Sequence, residues 1–163
     1  MKWLLTPLVV AGIVTPAWAN PPASPLTCAP VSAVEVSALF DRWNQSLATL
    51  DPAAVARNYA PNAVLLATVA NEPKTSPEAI QAYFVEFLKL RPQGQINQRT
   101  VKLGCNTAFD VGTYTFSLTG SDGKPQTVQA RYTYIYERQN DGKWLIVHHH
   151  SSKMPDTAAA PQK

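Results

Sequence analysis

From Gln95 onward the chain alternates apolar and polar residues at period two in four consecutive stretches: Gln95–Leu103, Thr107–Thr119, Gln126–Arg138 and Lys143–Ser151. That period puts successive side chains on opposite faces of a strand, so each stretch reads as a long β-strand. The breaks between them are short and rich in turn formers: Gly104-Cys105-Asn106, Gly120-Ser121-Asp122-Gly123 and Asn140-Asp141-Gly142. Short breaks force neighbours to run antiparallel. The expected unit is therefore a long meander, and a sheet of this kind needs a cover for at least one face.

The preceding segment supplies that cover. Ser32 with Glu35 three residues on has capping-box spacing, and Val36, Leu39, Phe40, Trp43 and Leu47 form one helical apolar stripe that ends near Leu50. Asp51-Pro52 opens a shorter helix over Ala53–Tyr59, and Pro61-Asn62 breaks it. Ala63–Ala67 reads as a short apolar strand. Ser76-Pro77-Glu78 starts a third helix whose buried face carries Ile80, Tyr83, Phe84, Phe87 and Leu88, and Arg91-Pro92 ends it. Helices followed by a meander give an α+β fold, with three helices on the concave side of a curved antiparallel sheet. The space between is a cone with a mouth, a shape that favours a pocket. The convex side has no helix left to cover it, which points to an interface.

Met1-Lys2, the apolar run to Pro16 and Ala17-Trp18-Ala19 have the layout of a secretory signal peptide cleaved after Ala19. The competing reading, a membrane anchor, needs about 20 apolar residues, and this run is shorter and interrupted by Thr6-Pro7 and Thr15-Pro16. The expected organisation is a signal peptide over 1–19, an extended leader over 20–30, one domain over 31–154 and a flexible tail over 155–163. The product is expected in the periplasm or secreted, with no membrane contact after signal removal. In that oxidising setting Cys28 and Cys105 are expected to form a disulfide, the alternative being two buried thiols. The 163 residues carry a net charge of +3 with scattered basic side chains, which argues against a nucleic-acid surface.

Chemistry concentrates in the last two strands. Strict alternation puts Trp144, Ile146, His148 and His150 on one face and Leu145, Val147, His149 and Ser151 on the other. His148 and His150 are candidate acid–base groups, since imidazole titrates near neutrality. As metal ligands they lack a third and fourth partner, so no metal and no cofactor is expected. They could equally hydrogen-bond across the sheet or at an interface. Arg131 sits among apolar and aromatic residues. It could grip a small anion, pair with an acid, or reach solvent. Trp43, Tyr114 and Tyr134 are candidate pocket residues beside Arg131, His148 and His150, with Asp41, Asn44 and Tyr59 within reach. Which sheet face looks inward stays open, because Tyr132, Tyr134 and Tyr136 suit a core or an interface.

Arg131–Tyr136, Asp141-Gly142-Lys143-Trp144 and Val147 to Ser152 resemble the association domain of calcium/calmodulin-dependent protein kinase II, within the nuclear transport factor 2-like (SnoaL-like) superfamily. The resemblance spans Val31 to Met154 and is closest to stand-alone bacterial members. It implies a cone-shaped fold, pairing into homodimers and, in the kinase relatives, larger rings. The kinase module's pocket is lined by arginines, two of which correspond to Tyr134 and Ser151 here, so its ligand preference does not carry over. Other superfamily members are isomerases, cyclases and dehydratases with a pocket Asp or His base that finds no residue-by-residue match. The leading expectation is an exported self-association module that binds a small molecule, with no kinase activity and with a small anion as the candidate ligand. The alternative is a lyase or isomerase of the SnoaL-like type, with His148 or His150 as acid–base group and Arg131 steering an anionic substrate. A protein-interaction adaptor using the sheet face is the third.

Overall fold

The computed structural model describes residues 27–155. The proposed signal peptide, most of the leader and nearly all of the tail lie outside the described residues.

Three helices precede and flank a five-stranded sheet. α1 spans Ala33–Ala48, α2 Pro52–Ala56, β1 Tyr59–Leu66 and α3 Pro77–Phe87, followed by a short 3-10 turn at Leu88–Leu90. β2 (Gln93–Leu103), β3 (Thr107–Thr119), β4 (Pro125–Arg138) and β5 (Trp144–Lys153) form the meander. The capping box at Ser32 and Glu35 is complete, with Ser32 Oγ accepting from the Glu35 amide and the Glu35 carboxylate accepting from the Ser32 amide. Ser76 caps α3. Arg91 ends this stretch in the left-handed region at φ 47°.

The strand order is β1-β5-β4-β3-β2. The meander is antiparallel, but β1 joins β5 in parallel, so the sheet is mixed rather than wholly antiparallel. The second helix is shorter than expected, and the first strand begins at Tyr59 rather than Ala63. Pro61 and Asn62 do not end a helix. They lie in an irregular stretch of β1, where the six residues from Tyr59 to Val64 span only Ile146 to His148 of β5. A proline is tolerated there because the regular ladder is already interrupted.

Two further irregularities shape the sheet. The β2–β3 register slips between Ile96 and Gln98, and at Gly112 a Cβ would fall 1.9 Å from the Gln98 carbonyl oxygen. Only glycine permits that close approach, which bends the sheet around α1. The β4–β5 register slips between Ile135 and Tyr136. Ile146 therefore faces Tyr136, whereas His148 faces Ile135 and His149 faces Tyr134.

The core lies between the helices and the concave face. Phe40, Trp43 and Leu47 of α1 and Ile80 and Phe84 of α3 meet Tyr114, Tyr132, Tyr134 and Tyr136 of the sheet. Asn58, buried between α2 and β1, donates to Ser46 Oγ and accepts from Arg42 Nε, while Arg42 also donates to the Trp144 carbonyl. Asn44 donates to the Gly94 carbonyl and accepts from the Gly94 amide, so its work is to fix β2 on α1. At the far edge Cys28 and Cys105 are joined in a disulfide. The Asn106 side chain reinforces it by accepting from the Ala29 amide and donating to the Thr27 carbonyl. Closing a loop of 77 residues stabilises the fold by up to about 4 kcal/mol in the chain-entropy treatment.

Candidate functional site

The slip on β5 decides which side chains meet inside the cone. Strict alternation grouped Ile146 with His148 and His150, and the structure corrects this. The extra residue at the bulge inverts every later side chain. Ile146, His149 and Ser151 are buried on the inner face, while His148 is half-buried and His150 exposed on the outer one. Arg131 lies outside as well, paired across the ladder with Thr113 and Ser152. The candidate residues therefore divide. Trp43, Tyr114 and Tyr134 are in the interior; Arg131, His148 and His150 are on the opposite side of the sheet. Arg131 cannot steer an anion into the cone, and neither outer histidine can act on a molecule held inside it.

The interior is a relay of aromatic and polar groups. Trp43 Nε1 donates to the Tyr59 hydroxyl at 3.1 Å, and that hydroxyl lies 2.8 Å from His149 Nδ1. The Tyr59 proton has no other acceptor among the described contacts, so it points to Nδ1 and leaves the His149 proton on Nε2. His149 is 4% exposed, stacked on Tyr134 with ring centroids 4.1 Å apart, and meets Trp43 edge-on. Burial, then the neighbouring His148 and His150, push its pKa down to about 3, so it is neutral across the physiological range. Its Nε2 is buried without a partner, as are the Tyr134 and Tyr136 hydroxyls. Burial raises both tyrosines well above their usual range.

Beside His149, the Tyr114 hydroxyl donates to Ser151 Oγ at 2.6 Å, and Ser151 also bonds Thr68. His149, Tyr114 and Ser151, with Trp43, Phe84 and Phe116, surround a void of about 20 Å³. That is room for one water-sized occupant. Tyr83 and Phe87 of α3 close it, and the same two side chains line an outer cleft of about 240 Å³ with Val69, Glu86 and Leu90.

A second polar cluster lies across the inner face. Asp110 is 0% exposed, accepts from the Tyr132 hydroxyl at 2.8 Å and pairs with Arg99 Nε at 3.1 Å. Burial pushes the Asp110 carboxyl up, and the Tyr132 hydroxyl and Arg99 only partly offset this. Burial works against the Arg99 charge, but Tyr132 and Asp110 more than compensate. The guanidinium also sits 5.4 Å from the Phe40 ring centroid. No alternation pattern singles out this cluster. Its one trace in the sequence is an acid at an inward position of β3.

The outer face is ordered in rows. Phe109, Ile135, His148 and Val64 lie side by side on four strands, followed by Val111, Thr133, His150 and Leu66. Phe109 is 42% exposed. Next to these rows, Arg131, Thr133, His150 and Ser152 frame an open groove of about 300 Å³. Burial and then His150 lower the His148 pKa. Asp41 is exposed on α1. Among the described residues no group of three His, Cys, Asp or Glu side chains could hold a metal ion, and no helix is long and apolar enough to cross a membrane.

Comparisons with known proteins bear on the family and the fold. The calcium/calmodulin-dependent protein kinase II association domain matches residues 32–155. A solved association-domain protein of that type from Xanthomonas campestris is 51% identical, with a TM-score of 0.75, covering 85% of this chain and 95% of that one. A nuclear transport factor 2-like protein from Salmonella enterica superposes at a TM-score of 0.67 with 16% identity, over 80% of this chain and 96% of that one. A ketosteroid isomerase-like protein from Erwinia carotovora gives 0.63 at 14% identity, over 74% and 95%. The last two show the fold alone. No curated protein matches the sequence.

Proposed function

Because this chain belongs to the calcium/calmodulin-dependent protein kinase II association-domain family, we propose that it is an exported self-association module that pairs through the outer face of its sheet and holds a small ligand inside its cone. The observation that carries the pairing is the outer face itself. Phe109, Val111, Ile135 and Val64 share it, and among the described residues the helices α1 and α3 pack on the opposite, inner face. An apolar face of this breadth is stabilised when a second copy covers it. The disulfide is consistent with an oxidising compartment, and the signal-peptide layout of residues 1–19 supports export.

Light scattering after size exclusion tests the assembly. The expected mass at micromolar concentration is that of a dimer or a larger ring, and Ile135→Arg lowers it to the monomer. A monomeric wild-type protein overturns the reading. Mass spectrometry of protein recovered from the periplasm or medium should give Asn20 as the first residue; retention of Met1 would count against export.

A further inference from the structure

We infer that the interior of the cone is a gated aromatic site for a small neutral ligand, which it selects by one hydrogen bond donated from His149 Nε2 to an acceptor on that ligand. The inference rests on the interior-ligand part of the proposed function and names the ligand class.

Three observations converge on it. His149 Nε2 is the one buried, unpartnered polar atom among the residues that line the void. Tyr59 occupies Nδ1 and fixes the tautomer, so the open nitrogen is a donor. Of the other polar side chains in the wall, Tyr114 is engaged with Ser151, Ser151 with Thr68 and Trp43 with Tyr59, and the Tyr83 hydroxyl belongs to the half-buried α3 side that faces the outer cleft. The sheet side of the site therefore offers a single preferred handle. No Lys, Arg, Asp or Glu lines the void. An anion entering it would lose its hydration and meet no compensating charge, because His149 is buried among aromatic rings and stays neutral. An acceptor-bearing neutral molecule loses far less and satisfies the orphan donor.

The void as it stands takes only a water-sized occupant, so a larger guest must enter by displacing side chains. Tyr83 and Phe87 are the wall shared with the outer cleft. They stack on each other at 5.7 Å, and both are half-buried rather than locked in the core. Their outward rotation joins the two spaces. The flat rings of Trp43, Phe84 and Phe116 then favour a flat apolar body on the guest.

Three probes of similar size separate the alternatives: acetophenone, neutral with one acceptor; benzoate, its anionic counterpart; and isopropylbenzene, with no acceptor. Each is titrated into the full mature protein, followed by the imidazole nitrogen resonances and by light scattering. The expected result is acetophenone binding at least tenfold tighter than the other two, with the His149 Nε2 resonance shifting and the assembly intact. His149→Gln, which retains a donor, should reduce that preference less than His149→Phe. Because His149→Phe also breaks the Tyr59 contact, the wild-type nitrogen shift decides if that variant misfolds. Benzoate binding as tightly as acetophenone, or acetophenone binding without a shift at His149, overturns the inference while leaving an interior site in place. Failure of all three to bind at millimolar concentration overturns the interior-ligand reading itself, with the assembly judged separately by mass.

Discussion

The two faces of one sheet carry the same kinds of residue and use them in opposite ways. On the inner face, tyrosine and histidine are buried against α1 and α3, and their polar atoms form a relay or stay unpartnered. On the outer face, histidine, threonine and arginine lie half-buried or exposed beside a partly exposed apolar row. His149 and His150 are adjacent in the chain, yet one is held neutral among rings and the other lies open to solvent. Residue type alone therefore says little about role here. The side of the pleat decides it.

The sharpest way to break this contrast is to remove the inner anchor. Trp43 meets Phe84, Phe116, Tyr134 and His149 and donates to Tyr59. Trp43→Ala should cost about 4 kcal/mol, read by urea unfolding. A loss below 1 kcal/mol would mean that the interior is not packed as described. Next in size is Asp110→Ala, which strands the partly buried Arg99, whose side chain is 22% exposed. Removing one partner of such a pair should cost about 3 kcal/mol, and Asp110→Asn, which still accepts from Tyr132, should cost less.

Acid separates the inner histidine from its neighbours. The folded pKa of His149, about 3, lies below its unfolded value, so its contribution to stability is complete above roughly pH 6.5 and declines as pH falls toward 3. The expected slope is about 1.4 kcal/mol per pH unit over that window. Asp110 opposes it, because a raised folded carboxyl pKa favours the folded state as pH falls through it. The comparison that isolates His149 is the difference between wild type and His149→Gln at each pH. A flat difference would contradict a neutral buried imidazole.

The smallest effect belongs to the exposed outer histidine in the single chain. In the Ile135→Arg background, where no second copy covers the face, His150→Ala should change stability by less than about 0.5 kcal/mol in urea unfolding. A loss of several times that would place His150 in a role that its exposure does not support.

Much of the architecture was legible in advance. Capping at Ser32 and Ser76, the stripes of α1 and α3 and the four strands of the meander all follow from local preferences and periodicity. The strand ends mostly agree to within two residues, because Gly, Asn and Asp mark the turns. The fold class and the pairing of Cys28 with Cys105 hold in the structure. The start of β1 was not legible, since Pro61 and Asn62 are turn formers and only parallel pairing to β5 draws that stretch into the sheet.

The candidate site was legible only in part. Trp43, Tyr114 and Tyr134 lie in the interior, whereas Arg131, His148 and His150 do not join them. Carrying the Arg138–Trp144 register straight up the hairpin would set His148 opposite Tyr134. The bulge sets His149 there instead. A sequence fixes which residues alternate, because alternation is local backbone stereochemistry. Where the count slips by one depends on how two strands twist together under the helices that press on them. That packing, absent from any single stretch of chain, selected the histidine that faces the core.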